Sequence, residues 1–345
     1  MSLEAIVANW RTMARFAGVE AAGVLKADAY GHGASAAARA LAAAGCRSFF
    51  AASVAEAVEL REALGPGPTV YILNGCFEAS PDGLAQAGLT PVLNTLEEIA
   101  GWAGRGPWAV HLDTGMNRLG LPAREWGEAA RLASASAPEL VMSHLSCADA
   151  PDHPMNRLQL KRFREGGALF AMARRSLAAS AGTALGSDFV FDLTRPGLAL
   201  FGAWDSAAPG PHLIPAMRLE APILQLRWLQ PGECVGYGCS YQAKTLQLLA
   251  TVAAGYADGC LRSLADRGYG AIGGVVCPIR GRISMDLITL DVTAAGARAE
   301  LGATVELLGP TIPAEAQAAL AGTVAYELLT QIGAAAARAG GREIA

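Results

Sequence analysis

From about residue 20 to residue 203 one pattern recurs: a short apolar run, a polar or glycine-bearing loop, then a longer stretch of helical period. The runs are Ala22–Leu25, Ser48–Ala52, Thr69–Leu73, Thr90–Leu93, Trp108–Leu112, Glu139–Ser143, Ser176–Ala179 and Gly197–Phe201. Parallel strands need a crossover between them, and a helix-length stretch after each run supplies one. Eight such units predict an α/β chain whose N-terminal part closes into a TIM-type (β/α)8 barrel. Helix starts are marked where Ser53 and Glu56, and Asn94 and Glu97, stand at N-cap and N3 spacing directly after a run. Helices are predicted over Val54–Leu64, Leu96–Trp102, Arg124–Ala135 and Leu158–Ala173, with an amphipathic helix within Met1–Gly18.

The texture changes after about Ala216. Leu219–Leu229, Leu246–Ala254, Ala271–Ile279, Ile283–Val292 and Thr304–Leu308 read as strands, separated by turn signals such as Pro231-Gly232 and Asp258-Gly259. Helical period returns at Pro313–Leu320 and from Val324 onward. The expected organisation is a barrel over 1–216 and a mostly-β domain over 217–345.

A chain of 345 residues, 52% hydrophobic, can bury such a core. Its net charge of −4 and lack of a basic stripe argue against a nucleic-acid or membrane-surface partner. No apolar run is long enough for a bilayer span, and the N-terminus, with Glu4, Arg11 and Arg15, lacks the apolar segment of a signal peptide. Cysteines at 46, 76, 147, 234, 239, 260 and 277 form no CxxC pair, which suits free thiols in a reducing cytoplasm.

The chemistry-bearing residues collect at the ends of the barrel runs. Ala22-Gly23-Val24-Leu25 ends in Lys26, followed by Ala27-Asp28-Ala29-Tyr30-Gly31-His32-Gly33 and a helix expected from about Ser35. A lysine there faces the side on which such barrels do chemistry, and a helix N-terminus beside it suits an anion. Asp113-Thr114-Gly115-Met116-Asn117-Arg118-Leu119-Gly120 follows the fifth run, Ser143-His144-Leu145-Ser146 the sixth and Ser180-Ala181-Gly182-Thr183 the seventh. Asp192-Leu193-Thr194-Arg195-Pro196-Gly197 precedes the eighth. Loops after the seventh and eighth strands commonly hold phosphate in such barrels, and Ser180 with the amides of Gly197 and Leu198 would suit one. Each residue taken singly also fits a plainer role: His144 as a packed histidine, Arg195 as a surface ion-pair partner, Arg118 as a salt-bridge partner of Asp113, Tyr237 as a packed aromatic. Gly31-His32-Gly33 is no dinucleotide fingerprint, no P-loop lysine motif is present, and the histidines at 32, 111, 144, 153 and 212 lack zinc-ligand spacing, so no metal site is expected.

Taken in series these motifs resemble the alanine racemases, pyridoxal-phosphate enzymes with an N-terminal (β/α)8 barrel and a C-terminal β domain. The resemblance runs through Val24–Gly33, Asp113–Gly120, Ser143-His144-Leu145, Arg195-Pro196-Gly197, Gly236-Tyr237-Gly238, Gly255-Tyr256-Ala257-Asp258-Gly259, Gly281-Arg282-Ile283-Ser284-Met285-Asp286 and Tyr326-Glu327. It implies that Lys26 is the Schiff-base lysine and the base for the D-isomer, with Tyr237 of a partner subunit as the base for the L-isomer. It implies a phosphate cradle of Tyr30, Ser180, Tyr326 and the backbone of Gly197 and Leu198. His144 then lies beside the pyridine ring, Arg195 at its nitrogen, and Arg118 near the phenolic oxygen and the substrate carboxylate. Tyr256, Met285 and Asp286 are the second subunit's contribution to the substrate pocket. The implied protein is a cytoplasmic homodimer with shared sites that supplies D-alanine for peptidoglycan. Competing readings are a serine or broad-specificity racemase, a pyridoxal-phosphate decarboxylase, which would carry an acid where Arg195 stands, and a non-catalytic cofactor-binding protein.

Three departures from the family pattern stand out. Two residues before Asp113 the family often has a carbamylated lysine that steadies the arginine matching Arg118; here the residue is His111, which cannot form that carbamate. The asparagine common before the phosphate-binding serine is Ala179, and the stretch Gly333 to Gly341 is unusually rich in Ala and Gly.

Overall fold

The computed structural model describes residues 1–338; the end of the Ala/Gly-rich stretch, 339–341, lies outside them. The chain divides into two compact units. One comprises Leu3–Ala29 and Gly33–Ile214; the other comprises Pro215 onward with Met1–Ser2 and Tyr30–His32.

The first unit begins with α1 (Leu3–Ala17), which buries Ile6 and Met13 on one face. Asn9, also buried on that face, donates to the carbonyls of Leu200 (3.1 Å) and Ile214 (2.8 Å). The barrel strands are β1 (Glu20–Ala21), β2 (Gly23–Val24), β3 (Ser48–Ala51), β4 (Thr69–Ile72), β5 (Thr90–Leu93), β6 (Ala109–His111), β7 (Leu140–Met142), β8 (Arg174–Ser176) and β9 (Leu193–Thr194). β2 to β8 pair in parallel, each with the next. β9 closes the ring: it pairs in parallel with β1, the Asp192 amide donates to the Arg175 carbonyl (3.0 Å), and the Ala22 amide donates to the Thr194 carbonyl (2.9 Å). The short strands carry continuous apolar burial, as a sheet covered on both faces requires.

The last two barrel strands differ from the sequence expectation. The seventh lies at Arg174–Ser176, where two arginines disguise it, and the eighth at Leu193–Thr194. Gly197–Phe201 is not a strand; Leu198–Phe201 is a fully buried 3-10 turn, and over so few residues apolar periodicity cannot separate a buried turn from a strand. Arg195 therefore follows the eighth strand instead of preceding it.

The outer helices include α3 (Ala34–Ala43), α4 (Val54–Leu64), α5 (Pro81–Gln86), α6 (Leu96–Trp102), α7 (Trp126–Ala133) and α8 (Pro154–Gly167). Ser53 and Glu56 form the expected capping box on α4. On α6 the cap is Thr95, one residue later than expected, because the Asn94 side chain is engaged elsewhere. α8 starts before Leu158, with His153 as N-cap and Pro154 in its first turn.

The segment after Lys26 is the main local surprise. α2 (Lys26–Gly31) winds with left-handed backbone: Ala27, Asp28, Ala29 and Tyr30 have φ of 52°, 51°, 53° and 56°. Each non-glycine residue so placed costs about 1–2 kcal/mol, so the turn persists only where its surroundings impose it.

The second unit is built on β10 (Leu219–Leu229), long enough to serve two neighbours. After the small hairpin β11 (Cys234–Val235) and β12 (Tyr241–Gln242) come β13 (Gln247–Val252), β14 (Tyr269–Ile272), β15 (Val275–Pro278), β16 (Ile288–Asp291) and β17 (Thr304–Leu308). The six-stranded sheet runs β15-β14-β17-β10-β13-β16, with antiparallel pairing. The single strand expected over Ala271–Ile279 is a hairpin turning at Gly273-Gly274, φ 52° and 80°. Of Ile283–Val292 only Ile288–Asp291 is a strand. α9 (Ala314–Ala321) and α10 (Ala325–Arg338) follow. Tyr30–His32 belong to this unit: a Cβ on Gly31 would meet the Gly333 Cα at 2.8 Å, so both positions demand glycine. No helix among the described residues is long and apolar enough to cross a membrane.

The left-handed turn makes a specific prediction. Ala27→Gly, harmful by about 1 kcal/mol in an ordinary helix, is expected to raise stability by about 1 kcal/mol here, because Ala27 is exposed and glycine relieves the positive φ. Urea unfolding of both proteins checks this; a loss of stability would contradict the left-handed assignment.

Candidate active site

The barrel unit gathers a set of cations at its strand ends. Lys26 lies two residues past the end of β2 and is half-buried. Burial lowers its pKa most, the Arg118 charge lowers it further, and the Glu56 charge opposes both. Glu56 is held by three amides, Ala27 (2.8 Å), Ala52 (2.8 Å) and Ser53 (3.4 Å). It thereby ties the residue after Lys26 to the end of β3. The capping pattern in the sequence points to Glu56, but as a helix cap only; its grip on the lysine turn is a tertiary contact.

Arg195 is 4% exposed. Its guanidinium donates to the Ser176 hydroxyl (2.5 Å) and the Ser143 carbonyl (2.6 Å), and lies 3.5 Å from His144 Nδ1. These contacts contain no carboxylate, and burial pulls Arg195 down to about 10, so it stays cationic near neutrality. Because a guanidinium only donates, His144 Nδ1 is the acceptor, which fixes a neutral ring with its proton on Nε2. Burial and the charges of Arg195, Arg118 and Lys26 hold His144 well below its usual range. Arg195 does not take the plainer role of a surface ion-pair partner.

Arg118 is exposed. Asp113 does not pair with it: Asp113 Oδ1 accepts from the amides of Gly115 (2.9 Å), Met116 (3.0 Å) and Asn117 (3.1 Å) and so shapes the loop that carries Arg118. The loop closes under Gly120 (φ 97°), where a Cβ would meet the His111 ring at 2.9 Å. His111 Nδ1 lies 2.9 Å from Asn94 Oδ1. The Asn94 amide donates to Val92 O and Leu73 O, so its oxygen faces the histidine and Nδ1 carries the proton. Burial first, then the Arg195 charge, lowers His111 to about 4. A neutral imidazole therefore stands where the resemblance anticipates an anionic carbamate.

Ser180 is buried and its Oγ accepts from the amides of Gly197 (3.1 Å) and Ala199 (3.2 Å). Leu198 N, expected as a phosphate donor, is not one of the two amides on that oxygen. With both lone pairs engaged, the Ser180 hydroxyl proton is available to a ligand. A network not legible in sequence braces the floor: Thr114 Oγ1 meets Ser143 Oγ at 2.8 Å, and Gln159 Nε2 donates to Thr114 Oγ1 (3.1 Å) and the His144 carbonyl (2.9 Å).

The remaining candidates lie in the second unit. The Tyr30 and Tyr326 rings are 5.8 Å apart; burial, then Tyr326, drives the Tyr30 phenol up, so it stays protonated. The Tyr256 amide donates to the Ser284 carbonyl (3.0 Å) and the Ala257 amide to that of Met285 (2.9 Å). Tyr256, Met285 and Asp286 are thus brought together. Tyr237 sits in the turn between β11 and β12. A Cβ on Gly236, just before it, would lie 3.7 Å from the Arg282 backbone. All four are exposed, Tyr237 by 70% and Met285 by 59%.

A lysine just after a barrel strand, a buried arginine without a carboxylate and a hydroxyl with its proton free to donate are the features of a barrel enzyme rim suited to an anion. The sequence matches the family descriptions "Alanine racemase, N-terminal domain" over residues 1–205 and "Alanine racemase, C-terminal domain" over 216–339. It is 43% identical over 343 residues to the alanine racemase of Dinoroseobacter shibae, covering 98% of this chain and 96% of that protein. Against the alanine racemase of Acidiphilium cryptum identity is 44%, covering 95% and 94%. Among solved structures, the Bartonella henselae alanine racemase with covalently bound pyridoxal phosphate superposes with a TM-score of 0.89 at 36% identity, covering 96% of each chain. The biosynthetic alanine racemase of Pseudomonas aeruginosa gives 0.87 at 36%, covering 96% and 95%. The chain belongs to the alanine racemase family.

The two neutral histidines give the fold a pH dependence. His111 has a lower pKa folded than unfolded, so unfolding takes up its proton below about 6.5. Its contribution to stability is full above about 6.5, and about 3 kcal/mol is lost as pH falls toward 4. Urea unfolding at stepped pH should show this loss, with a shallower slope in His111→Gln; equal slopes would contradict the burial of a neutral His111.

Proposed function

We propose that this chain interconverts L- and D-alanine with pyridoxal phosphate, using Lys26 and a second subunit's Tyr237 as bases on opposite faces of the substrate. The observation that carries this reading is Arg195, a buried guanidinium among strand-end carbonyls beside a neutral histidine. An acid at that place would favour the decarboxylase alternative.

The residues present fit the cofactor. Lys26, Arg118 and Arg195 are cations, while the nearby carboxylates Glu56 and Asp113 are tied to backbone amides, leaving positive charge for a phosphate and a substrate carboxylate. The Ser180 hydroxyl would hold the phosphate, with Tyr30 and Tyr326 as further donors and Leu198 N as a candidate amide; Gly197 N, which donates to Ser180 Oγ, would aim that hydroxyl. His144 would lie along the ring and Arg195 would donate to its nitrogen. When bound, pyridoxal phosphate supplies the electron sink that acidifies the substrate's α-proton. Arg195 has no proton to accept and no ready proton to give, which discourages side reactions that need charge stored on the ring.

Lys26 serves the D-face: its lowered pKa brings the amine toward proton exchange near neutrality. Tyr237 serves the L-face through its phenolic oxygen, with the Arg118 cation beside it. Arg118 also orients the carboxylate. Tyr256, Met285, Asp286 and Tyr326 narrow the pocket, and the two tyrosines favour alanine over larger side chains. Exposure of Tyr237, Tyr256 and Met285 supports a homodimer, since solvent is a poor place for a catalytic phenol. A cytoplasmic role in supplying D-alanine for peptidoglycan follows as part of the same reading.

Tyr237→Phe is expected to slow conversion of L-alanine about 10²–10⁴-fold while α-proton exchange of D-alanine in D₂O falls far less. Equal losses would remove the two-base assignment. Mixing inactive Lys26→Ala with inactive Tyr237→Phe under subunit exchange should restore activity, since a heterodimer has one intact site; no recovery would place both bases in one chain.

A further inference from the structure

We propose that Arg280 and Tyr241 are positioning residues for Tyr237: with Gln247 and Asp291 they close a ring of contacts that fixes the hairpin on whose turn Tyr237 stands. The ring itself stands on contacts within the second unit; its effect on the reaction rests on Tyr237 being the second base.

The hairpin has little of its own to hold it. β11 and β12 form a two-stranded sheet apart from the six-stranded one, paired only at Cys234 with Gln242 and Val235 with Tyr241. Such a hairpin is marginal by itself. Val235 and Ala243 pack with Leu229 and Leu249, and Tyr241 lies against them. Apolar packing of this kind holds the hairpin down but is non-directional, so it does not set the angle at which the turn projects. The directional contacts start from Tyr241, in the last pair before the turn. Its hydroxyl donates to Gln247 Oε1 (2.9 Å), on the first residue of β13. Gln247 Nε2 donates to Asp291 Oδ2 (2.7 Å), on the last residue of β16. The same oxygen faces Arg280 Nη2 at 3.9 Å. The Arg280 guanidinium carbon in turn lies 4.8 Å from the centre of the Tyr241 ring, a cation–π contact. The ring of contacts is thereby closed, with the hairpin tied to two strands of the large sheet.

Two further observations mark Arg280 as a brace. Its Nε is buried without an acceptor among the described residues. An unpaired buried donor is unfavourable, so that nitrogen gives no reason for a guanidinium here; the Tyr241 face and the Asp291 carboxylate do. The Arg280 backbone is also pinned to β16: its amide donates to the Thr289 carbonyl (2.9 Å), and its carbonyl accepts from the Thr289 hydroxyl. The next residue abuts the other hairpin strand, since a Cβ on Gly281 would meet the Val235 carbonyl oxygen at 2.9 Å. Arg280 thus grips β12 through its side chain while its neighbour meets β11. Loss of the ring leaves the hairpin on its apolar contacts alone, free to tilt the turn that carries the phenol.

The test uses holoenzyme and D-alanine in D₂O, following deuterium uptake into recovered D-alanine and formation of L-alanine together. Uptake without conversion reports Lys26; conversion needs Tyr237 as well. Arg280→Gln and Tyr241→Leu should slow conversion about 10–10²-fold, the scale of a misplacement of about 1 Å, while uptake falls far less, so the ratio of uptake to conversion rises. Tyr241→Phe, which keeps the ring and loses the hydroxyl, should raise the ratio less. A smaller folded fraction scales both rates equally and leaves the ratio unchanged. Amide hydrogen exchange over residues 235–240, followed by mass spectrometry, should quicken in the same variants. Tyr237→Phe combined with Arg280→Gln should convert no more slowly than Tyr237→Phe alone, because Arg280 acts through Tyr237. An unchanged ratio in Arg280→Gln and Tyr241→Leu overturns the positioning role, as does a double variant slower than Tyr237→Phe; unchanged amide exchange overturns the brace. Should Tyr237→Phe itself leave the ratio unchanged, the base assignment fails, while amide exchange still judges whether the ring fixes the hairpin.

Discussion

The Glu56 carboxylate governs the placement of Lys26. Its oxygens accept from Ala27, Ala52 and Ser53, joining the residue after the lysine to the strand beside it. Four non-glycine residues then run left-handed, an arrangement with no local preference behind it. Charge-assisted bonds to a carboxylate, about 1.5–3 kcal/mol each, are of the size needed to hold that strain. Asp28 adds to the grip, its carboxylate accepting from the Ala34 amide at 2.6 Å at the start of α3. The lysine is thus fixed at its root, while its amine stays available for chemistry.

Charge organisation follows from that placement. Burial first, and then the charges of Arg195, Arg118 and, for His144, Lys26, lower the pKa of both His111 and His144. The acids that might have neutralised those charges serve backbone amides. A site so arranged has positive charge to offer an incoming anion, and Arg195 contributes it without introducing an exchangeable acid. A neutral imidazole, oriented by Asn94, packs against Gly120 at the end of the loop that carries Arg118. The second unit holds its exposed tyrosines on turns locked by close backbone approach, as where a Cβ on Gly255 would meet the Met285 backbone at 2.3 Å.

The sequence alone carried the barrel, because eight apolar runs with helix-length crossovers admit few other closed arrangements. It carried α4 by cap and period together and α6 by period alone, its cap falling one residue later than expected, and it put Lys26, His144 and Ser180 in the loops that follow barrel strands. It misplaced the last two strands, since buried 3-10 turns and short strands share an apolar signature while Arg174 and Arg175 conceal a real one. It gave no sign of the left-handed turn, because Ala27, Ala29 and Tyr30 are ordinary right-handed residues whose φ was set by partners 20 or more residues away. The protonation of His144 and His111 was equally illegible. Which nitrogen accepts depends on Arg195 and Asn94, distant in sequence and adjacent only after folding. Local pattern fixes which residues can act; tertiary contact alone decides their backbone, charge and tautomer, because those are set by neighbours the chain reaches only by closing the barrel.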